Sequence, residues 1–133
     1  MLDVLGDGYQ KKSYLHVSDC VRAIFVAIDR SEAAGSAPLH IFNLGHPGAL
    51  EVRESVRIVC QEMNLTPELR FSGGERGWVG DAPRIQLDTK KIEGLGWSVT
   101  KTIEESVVET LRFIEANPFL HEPQAKQAPK EDR

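Results

Sequence analysis

Two cysteines in 133 residues, Cys20 and Cys60, are too few and too far apart for a disulfide framework. Both read as reduced core thiols of a cytoplasmic protein. No apolar run approaches the roughly 20 residues that cross a bilayer. The start, Met1 to Gly8, has neither the basic region nor the apolar stretch of a signal peptide. Charge of one sign is scarce as well: 16 Lys+Arg face 20 Asp+Glu, a net charge of −4. That balance argues against non-specific nucleic-acid binding, while a local basic pocket for a phosphate stays compatible with it. At 41% hydrophobic and 27% charged residues the chain is too apolar for wholesale disorder. Its length allows one domain and excludes a nucleotide-binding α/β domain together with a complete second one.

The motifs of several chemistries are also missing. There is no P-loop and no Gly-x-Gly-x-x-Gly, and Gly6-Asp7-Gly8, which lacks the third glycine and a following helix, reads as a hairpin turn. His16, His40, His46 and His121 are scattered without ligand spacing, so no metal site is expected. Neither Tyr9 nor Tyr14 has a lysine four residues on, the spacing with which one helix presents a phenol beside an ammonium group. No nucleophile elbow and no internal repeat occurs. The residues alone yield no catalytic group.

What is present is an interleaved order of short strands and helices, a mixed α/β chain. Leu2 to Leu5 and Ser13 to Val17 read as extended pieces. Ser18 is placed to cap a helix whose apolar positions, Val17, Val21, Ile24, Phe25 and Ile28, recur at helical spacing up to about Arg30. Ser31 to Pro38 reads as a linker, and Leu39 to Leu44 as a strand before the turn Gly45-His46-Pro47-Gly48. A second helix, Glu51 to Met63, is expected to face the core with Val52, Val56, Val59, Cys60 and Met63 and to end at Asn64. Leu69 to Ser72 reads as a strand. Asp88 would open a short helix closed by Gly96 in the left-handed conformation. Thr102-Ile103-Glu104-Glu105 is a capping box for a last helix carrying Ile103, Val107, Leu111 and Ile114, stopped at Asn117-Pro118. Residues 118–133 read as a flexible polar tail on a single unit, 1–117.

The segment Gly73 to Pro83 is the least ordinary. It combines five glycines and prolines with Arg76, Trp78 and Asp81. Glycine lets a backbone approach a ligand, arginine offers a fork for phosphate, indole a stacking face and carboxylate an acceptor for sugar hydroxyls. A surface turn around one buried tryptophan fits the same residues.

Three stretches together resemble a known family. Leu5-Gly6-Asp7-Gly8-Tyr9-Gln10-Lys11-Lys12-Ser13-Tyr14-Leu15-His16-Val17-Ser18-Asp19-Cys20 resembles the GDGxQxRxYxHVxD segment of extended short-chain dehydrogenase/reductases. Ile41-Phe42-Asn43-Leu44-Gly45 resembles the YNLG strand that follows. Gly74 to Pro83, with Leu87-Asp88 and Leu95-Gly96-Trp97, resembles the C-terminal loop and LGW helix end. The match is nearest to NAD-dependent nucleotide-sugar epimerase/dehydratases of the UDP-glucose 4-epimerase type and runs from Leu2 to Asn117.

The resemblance implies the last helix and strand of a Rossmann-type sheet plus the small substrate-binding lobe. The NAD loop and the Tyr-x-x-x-Lys pair belong to a portion this sequence does not contain. The chain alone is therefore expected to be inactive and not to bind NAD. Its implied partners are a nucleotide-sugar (a UDP- or dTDP-sugar) and either the missing Rossmann portion or a second copy through an exposed apolar face. No nucleic acid or membrane is expected. Lys12 stands where the family has a diphosphate arginine, and it keeps the charge without the fork. Trp78 occupies the loop position of a phosphate arginine, which leaves Arg76 or Arg84 to reach that phosphate. Asp81 is the implied ribose or sugar-hydroxyl partner. Asp19 and Asn43 are weighed toward structural roles.

Overall fold

The computed structural model describes residues 1–33 and 39–120, and the side chains of 31–33 are outside the described set. Strand β1 (Leu2–Val4) pairs in parallel with β4 (Leu69–Phe71), setting Leu2 opposite Leu69 and Val4 opposite Phe71. Strand β2 (Lys11–Lys12) pairs antiparallel with β3 (Leu50–Glu51). Helices α1 (Val17–Ala33), α2 (Val52–Glu62), α3 (Lys90–Glu93) and α4 (Ile103–Ala116) interleave with them. The class is the mixed α/β expected, with a small parallel sheet. Of the polar tail foreseen over 118–133, Pro118–Leu120 instead forms a short 3₁₀ turn after α4, and residues 121–133 lie outside the described residues.

The local signals hold best. Thr102 Oγ1 accepts from the Glu105 N–H at 3.1 Å while Glu105 Oε2 accepts from the Thr102 N–H at 2.7 Å, a complete capping box. Asn64 closes α2 at φ +57°. The Leu65 N–H reaches the Cys60 carbonyl and the Asn64 N–H the Gln61 carbonyl, a Schellman termination. Gly96 takes φ +91° after α3.

Several expectations change. Gly6-Asp7-Gly8 does not close a hairpin, because β1 and β2 belong to different sheets. The ladder next to it lies at Lys11–Lys12 and not over 13–17. The first helix is capped two residues earlier than foreseen: His16 Nδ1 accepts from the Ser18 N–H at 3.2 Å, and Ser18 is inside the first turn. That helix also continues through Ala33, into what reads as linker. In α2 the buried residue is Ile58, on the side of the helix away from the foreseen stripe, and Met63 is exposed.

Two differences concern the whole architecture. The stripe Val17, Val21, Ile24, Phe25 and Ile28 faces outward, and α1 packs through Asp19, Ala23, Val26 and Ala27. Residues 39–44 alternate in exposure along the chain, yet they form no ladder with any described residue. The core is small: Ala23, Ile92 and Trp97, with Leu15, Val26, Phe42 and Leu44 packed around them. α2 rests on α4 beside it.

Asp19 is the polar centre of this core and is 1% exposed. Its carboxylate accepts from the Thr100 hydroxyl at 2.6 Å, the Thr100 N–H at 3.0 Å and the Arg22 guanidinium at 2.8 Å. Its carbonyl accepts from Trp97 Nε1 at 2.9 Å. Burial pushes this carboxyl up, and the donors from Thr100, Lys101 and Arg22 outweigh it, so the group ends below its ordinary value. Asp19 thus holds the start of α1 to the 97–101 segment, the structural role foreseen for it.

Candidate functional site

The site residues assemble where the glycine-rich loop returns to the small antiparallel sheet. The Lys11 N–H donates to the Pro83 carbonyl at 2.8 Å, and Lys11 bridges Arg84 in parallel, so the end of the loop lies along β2. This places Lys12 against residues 69 positions later in the chain. Lys12 Nζ donates to Asp81 Oδ1 and, at 2.9 Å, to the Ala82 carbonyl. Asp81 Oδ2 accepts from the Gly77 N–H at 3.0 Å, and the Asp81 N–H donates to the Trp78 carbonyl.

Asp81 is held below the usual carboxylate range first by the Lys12 hydrogen bond, then by the Gly77 N–H, and by the charges of Lys12 and Arg76 against a smaller opposing effect of burial. Its side chain is 9% exposed and that of Lys12 is 29% exposed. An ion pair this close to the surface is screened, and its importance is geometric: it fixes the loop.

Of the five residues singled out, the structure therefore joins Lys12 and Asp81 and brings the charge of Arg76 near them. The Arg84 main chain is next to Lys11, with its side chain exposed. Trp78 is not the buried tryptophan of a surface turn. It is 64% exposed, and its indole lies over Gly80, where a Cβ would collide with the ring; the buried indole is Trp97.

A cavity of about 270 Å³ beside Lys12 is lined by Lys11, Ser13, Tyr14, Leu44, Ile85 and Leu87. Sequence reasoning missed this lining. The Lys11-Lys12 doublet and the alternation of Ile85 and Leu87 are the signals that mark it. A larger apolar groove, about 1010 Å³, runs between Tyr14, Val17 and Val59 on one side and α4 on the other. Among the described residues no cluster of His, Cys, Asp and Glu has the arrangement of a metal site. No described helix is long and apolar enough to cross a membrane.

The glycines near β1 do not fit a dinucleotide. Gly6 and Gly8 have positive φ, but the place a Cβ would take on each is filled by the chain's own residues, Gln10 at Gly6 and Phe71 with Arg53 at Gly8. The Gly6 N–H is itself already engaged, donating to Ser72 Oγ at 2.8 Å.

No family model matches the chain. The trifunctional UDP-glucose 4,6-dehydratase/UDP-4-keto-6-deoxy-D-glucose 3,5-epimerase/UDP-4-keto-L-rhamnose-reductase of Arabidopsis thaliana is 29% identical over 118 residues, covering 89% of this chain and 17% of that protein. The UDP-glucose 4-epimerase of Yersinia pestis is 27% identical over 124 residues, covering 88% of this chain and 35% of the other. A crystal structure of UDP-galactose 4-epimerase superposes with a TM-score of 0.71 at 32% identity, over 87% of this chain and 35% of that one. The Thermotoga maritima UDP-glucose 4-epimerase, solved with UDP-glucose, has a TM-score of 0.71 at 22% identity, over 86% of this chain and 35% of that one, a likeness of fold alone. The chain spans only 17% to 35% of these proteins. In sequence and in fold it matches the C-terminal portion of the UDP-glucose 4-epimerase and dTDP-glucose 4,6-dehydratase group of extended short-chain dehydrogenase/reductases.

Proposed function

We propose that this chain is the nucleotide-sugar-binding portion of an NAD-dependent NDP-sugar epimerase/dehydratase, of UDP-glucose 4-epimerase type, with the oxidoreduction carried out on a portion outside it. The observation that carries this reading is the meeting of Lys12, Asp81 and the charge of Arg76 from segments far apart in sequence. A diphosphate needs convergent cations on an accessible surface; Lys12 and Arg76 supply them, and Arg84 is a third candidate from the adjoining strand position. The exposed indole of Trp78 offers a face for a base or sugar, and Asp81 an acceptor for hydroxyls.

On this reading the chain binds, orients and shields the substrate, and moves no hydride. Solved structures of similar fold hold UDP-glucose, UDP-glucuronic acid or NAD, which supports a nucleotide-sugar as the substrate class. The free thiols of Cys20 and Cys60 agree with a cytoplasmic place in carbohydrate metabolism.

Titration of the ¹⁵N-labelled chain with UDP tests the proposal. Saturable, micromolar shifts centred on Lys12, Arg76 and Asp81 are expected, with no epimerisation of UDP-glucose in the presence of NAD. Absence of binding, or turnover by the chain alone, overturns it. The outward stripe of α1 favours a second reading, a non-catalytic module that pairs with a separate Rossmann half. Co-expression with such a half, followed by co-purification and regained turnover, would favour it.

A further inference from the structure

The loop that carries Arg76 and Trp78 is attached to the molecule unevenly. At its start the Gly73 N–H donates to the Gly6 carbonyl at 3.0 Å and the Gly74 carbonyl accepts from the Asp7 N–H at 2.8 Å, so the chain is tied to the β1 turn through Gly74. At its end Lys11 holds Pro83. Between these points the tip stands in solvent, with Val79 95% exposed and Trp78 64% exposed.

The joint before the tip is permissive. Gly73 and Gly74 both have φ of +82°, and on the side where a Cβ would stand each has open space. Glycine changes φ without a Cβ clash, so past the bonds that tie Gly73 and Gly74 to the β1 turn the backbone can turn at low cost.

What restrains the tip is one carboxylate. Asp81 receives the Gly77 N–H from inside the loop and the Lys12 ammonium from outside it, and Lys12 adds a bond to the Ala82 carbonyl. Along the two segments themselves Lys11, Lys12, Arg76 and Arg84 outnumber Glu75 and Asp81, with Glu51 opposite Lys11 in the ladder and Asp7 at the start of the loop. The carboxylate therefore sits on Lys12 where an incoming anion would sit. Because the donors keep Asp81 ionised well into acid, it competes for Lys12 throughout the neutral range.

We propose that Asp81 is an internal surrogate for the anion of the ligand, and that a phosphate oxygen taking its place on Lys12 frees the 75–82 tip to carry Arg76 and Trp78 onto the ligand. The exchange needs no new charge: one anion leaves the ammonium as another arrives, and the loop loses its clasp in the same event. This rests on reading Lys12 as an anion site. It gives Asp81 a part in the clasped state besides that of hydroxyl acceptor, with one donor already on each of its oxygens.

Two measurements on the full chain test it, with inorganic pyrophosphate as the probe because it has the anion and no hydroxyl-bearing sugar. Asp81→Asn keeps the side-chain shape and removes the competing charge. It should bind pyrophosphate roughly five- to tenfold more tightly than the native chain at low salt, the scale of one unit charge removed from near an exposed cation. It should also show faster amide exchange over 75–82. The second measurement needs no variant: saturating pyrophosphate should speed exchange of the Gly77 amide in the native chain. Equal or weaker binding by Asp81→Asn, or a Gly77 amide that pyrophosphate leaves protected, overturns the clasp while the anion site stands. Pyrophosphate binding to neither protein overturns both.

Discussion

The two sides of α1 carry inverted chemistry. The side that packs holds a carboxylate, two alanines and a valine, and the side in solvent holds Val17, Val21, Ile24, Phe25 and Ile28, between 45% and 69% exposed. In an isolated globular domain the larger apolar side chains would be inside, because burying each contributes about 1.5–3 kcal/mol. Here the inner side is instead shaped for close approach. Ala23 and Ala27 bring the helix backbone near Ile92 and Phe42, and Asp19 reaches past them to the 97–101 segment. The contrast separates two jobs that one amphipathic pattern usually combines. Small residues and one carboxylate fix α1 to its own lobe, and the bulky stripe is left for something the described residues do not provide.

If that division is right, the carboxylate should matter most. Asp19→Ala leaves the Thr100 hydroxyl and N–H, the Lys101 N–H and one face of Arg22 without their shared acceptor. Removing one partner of a buried charged network costs on the order of 3 kcal/mol. Against the ~5–15 kcal/mol that holds a domain folded, the loss should show as a large drop in the urea midpoint. Acid gives the same test without a new core. The Asp19 carboxyl is depressed in the fold, against its burial, by the donors of Thr100, Lys101 and Arg22. A depressed acid contributes stability that is complete above its ordinary value of 3.8 and is lost as pH falls through the folded value. The stability gap between the native chain and Asp19→Asn should therefore be constant near neutrality and close below about pH 4. A gap independent of pH down to acid unfolding would mean that the network does not hold α1.

How far the fold was legible follows the same division. Thr102, Glu105, Asn64 and Gly96 were readable because each acts on partners within a few residues, and a short window contains the whole interaction. The face of α1 was not, because periodicity says that a helix has two sides and does not say which one its own chain will cover. Residues 39–44 show the same limit in strand form. Their alternation is real in the structure, but a ladder needs a neighbouring strand, and none of the described residues supplies one. At the site, the family pattern marked Lys12 and Asp81 separately. Their pairing across 69 positions had no local signature, and the Lys11-Lys12 doublet that marks the cavity beside them does not say that Ser13, Tyr14 and Leu44 join its lining.

A smaller effect is expected at the start of α4. Thr102→Ala removes the acceptor for the Glu105 N–H and leaves only half of the box, the Glu105 carboxylate on the residue-102 N–H. The cost should be about 1 kcal/mol, read as a modest fall in the melting midpoint with an unchanged far-ultraviolet spectrum. It calibrates the first prediction: a local cap counts for less than the tertiary network at Asp19, and a loss as large as that of Asp19→Ala would erase the distinction.

The smallest effect, and the one that bears hardest on the comparison, belongs to the outward stripe. Ile24→Gln with Phe25→Gln puts polar groups where the side chains are 51% and 61% exposed. Within the chain these changes should move stability by no more than about 0.5 kcal/mol, as exposed substitutions do. Binding of a hydrophobic dye, and any concentration-dependent sedimentation, should fall at the same time, because the apolar patch is what such probes detect. Ala23→Gln, one residue away but 1% exposed, is the control and should unfold the lobe. A stability loss from the stripe pair comparable with that of Ala23→Gln would show that the stripe is already covered in solution, by a second copy or by residues outside the described set. The stability data would then have to be read as those of an assembly. A neutral result, with the dye signal gone, leaves the stripe as apolar surface that contributes nothing to the fold bearing it.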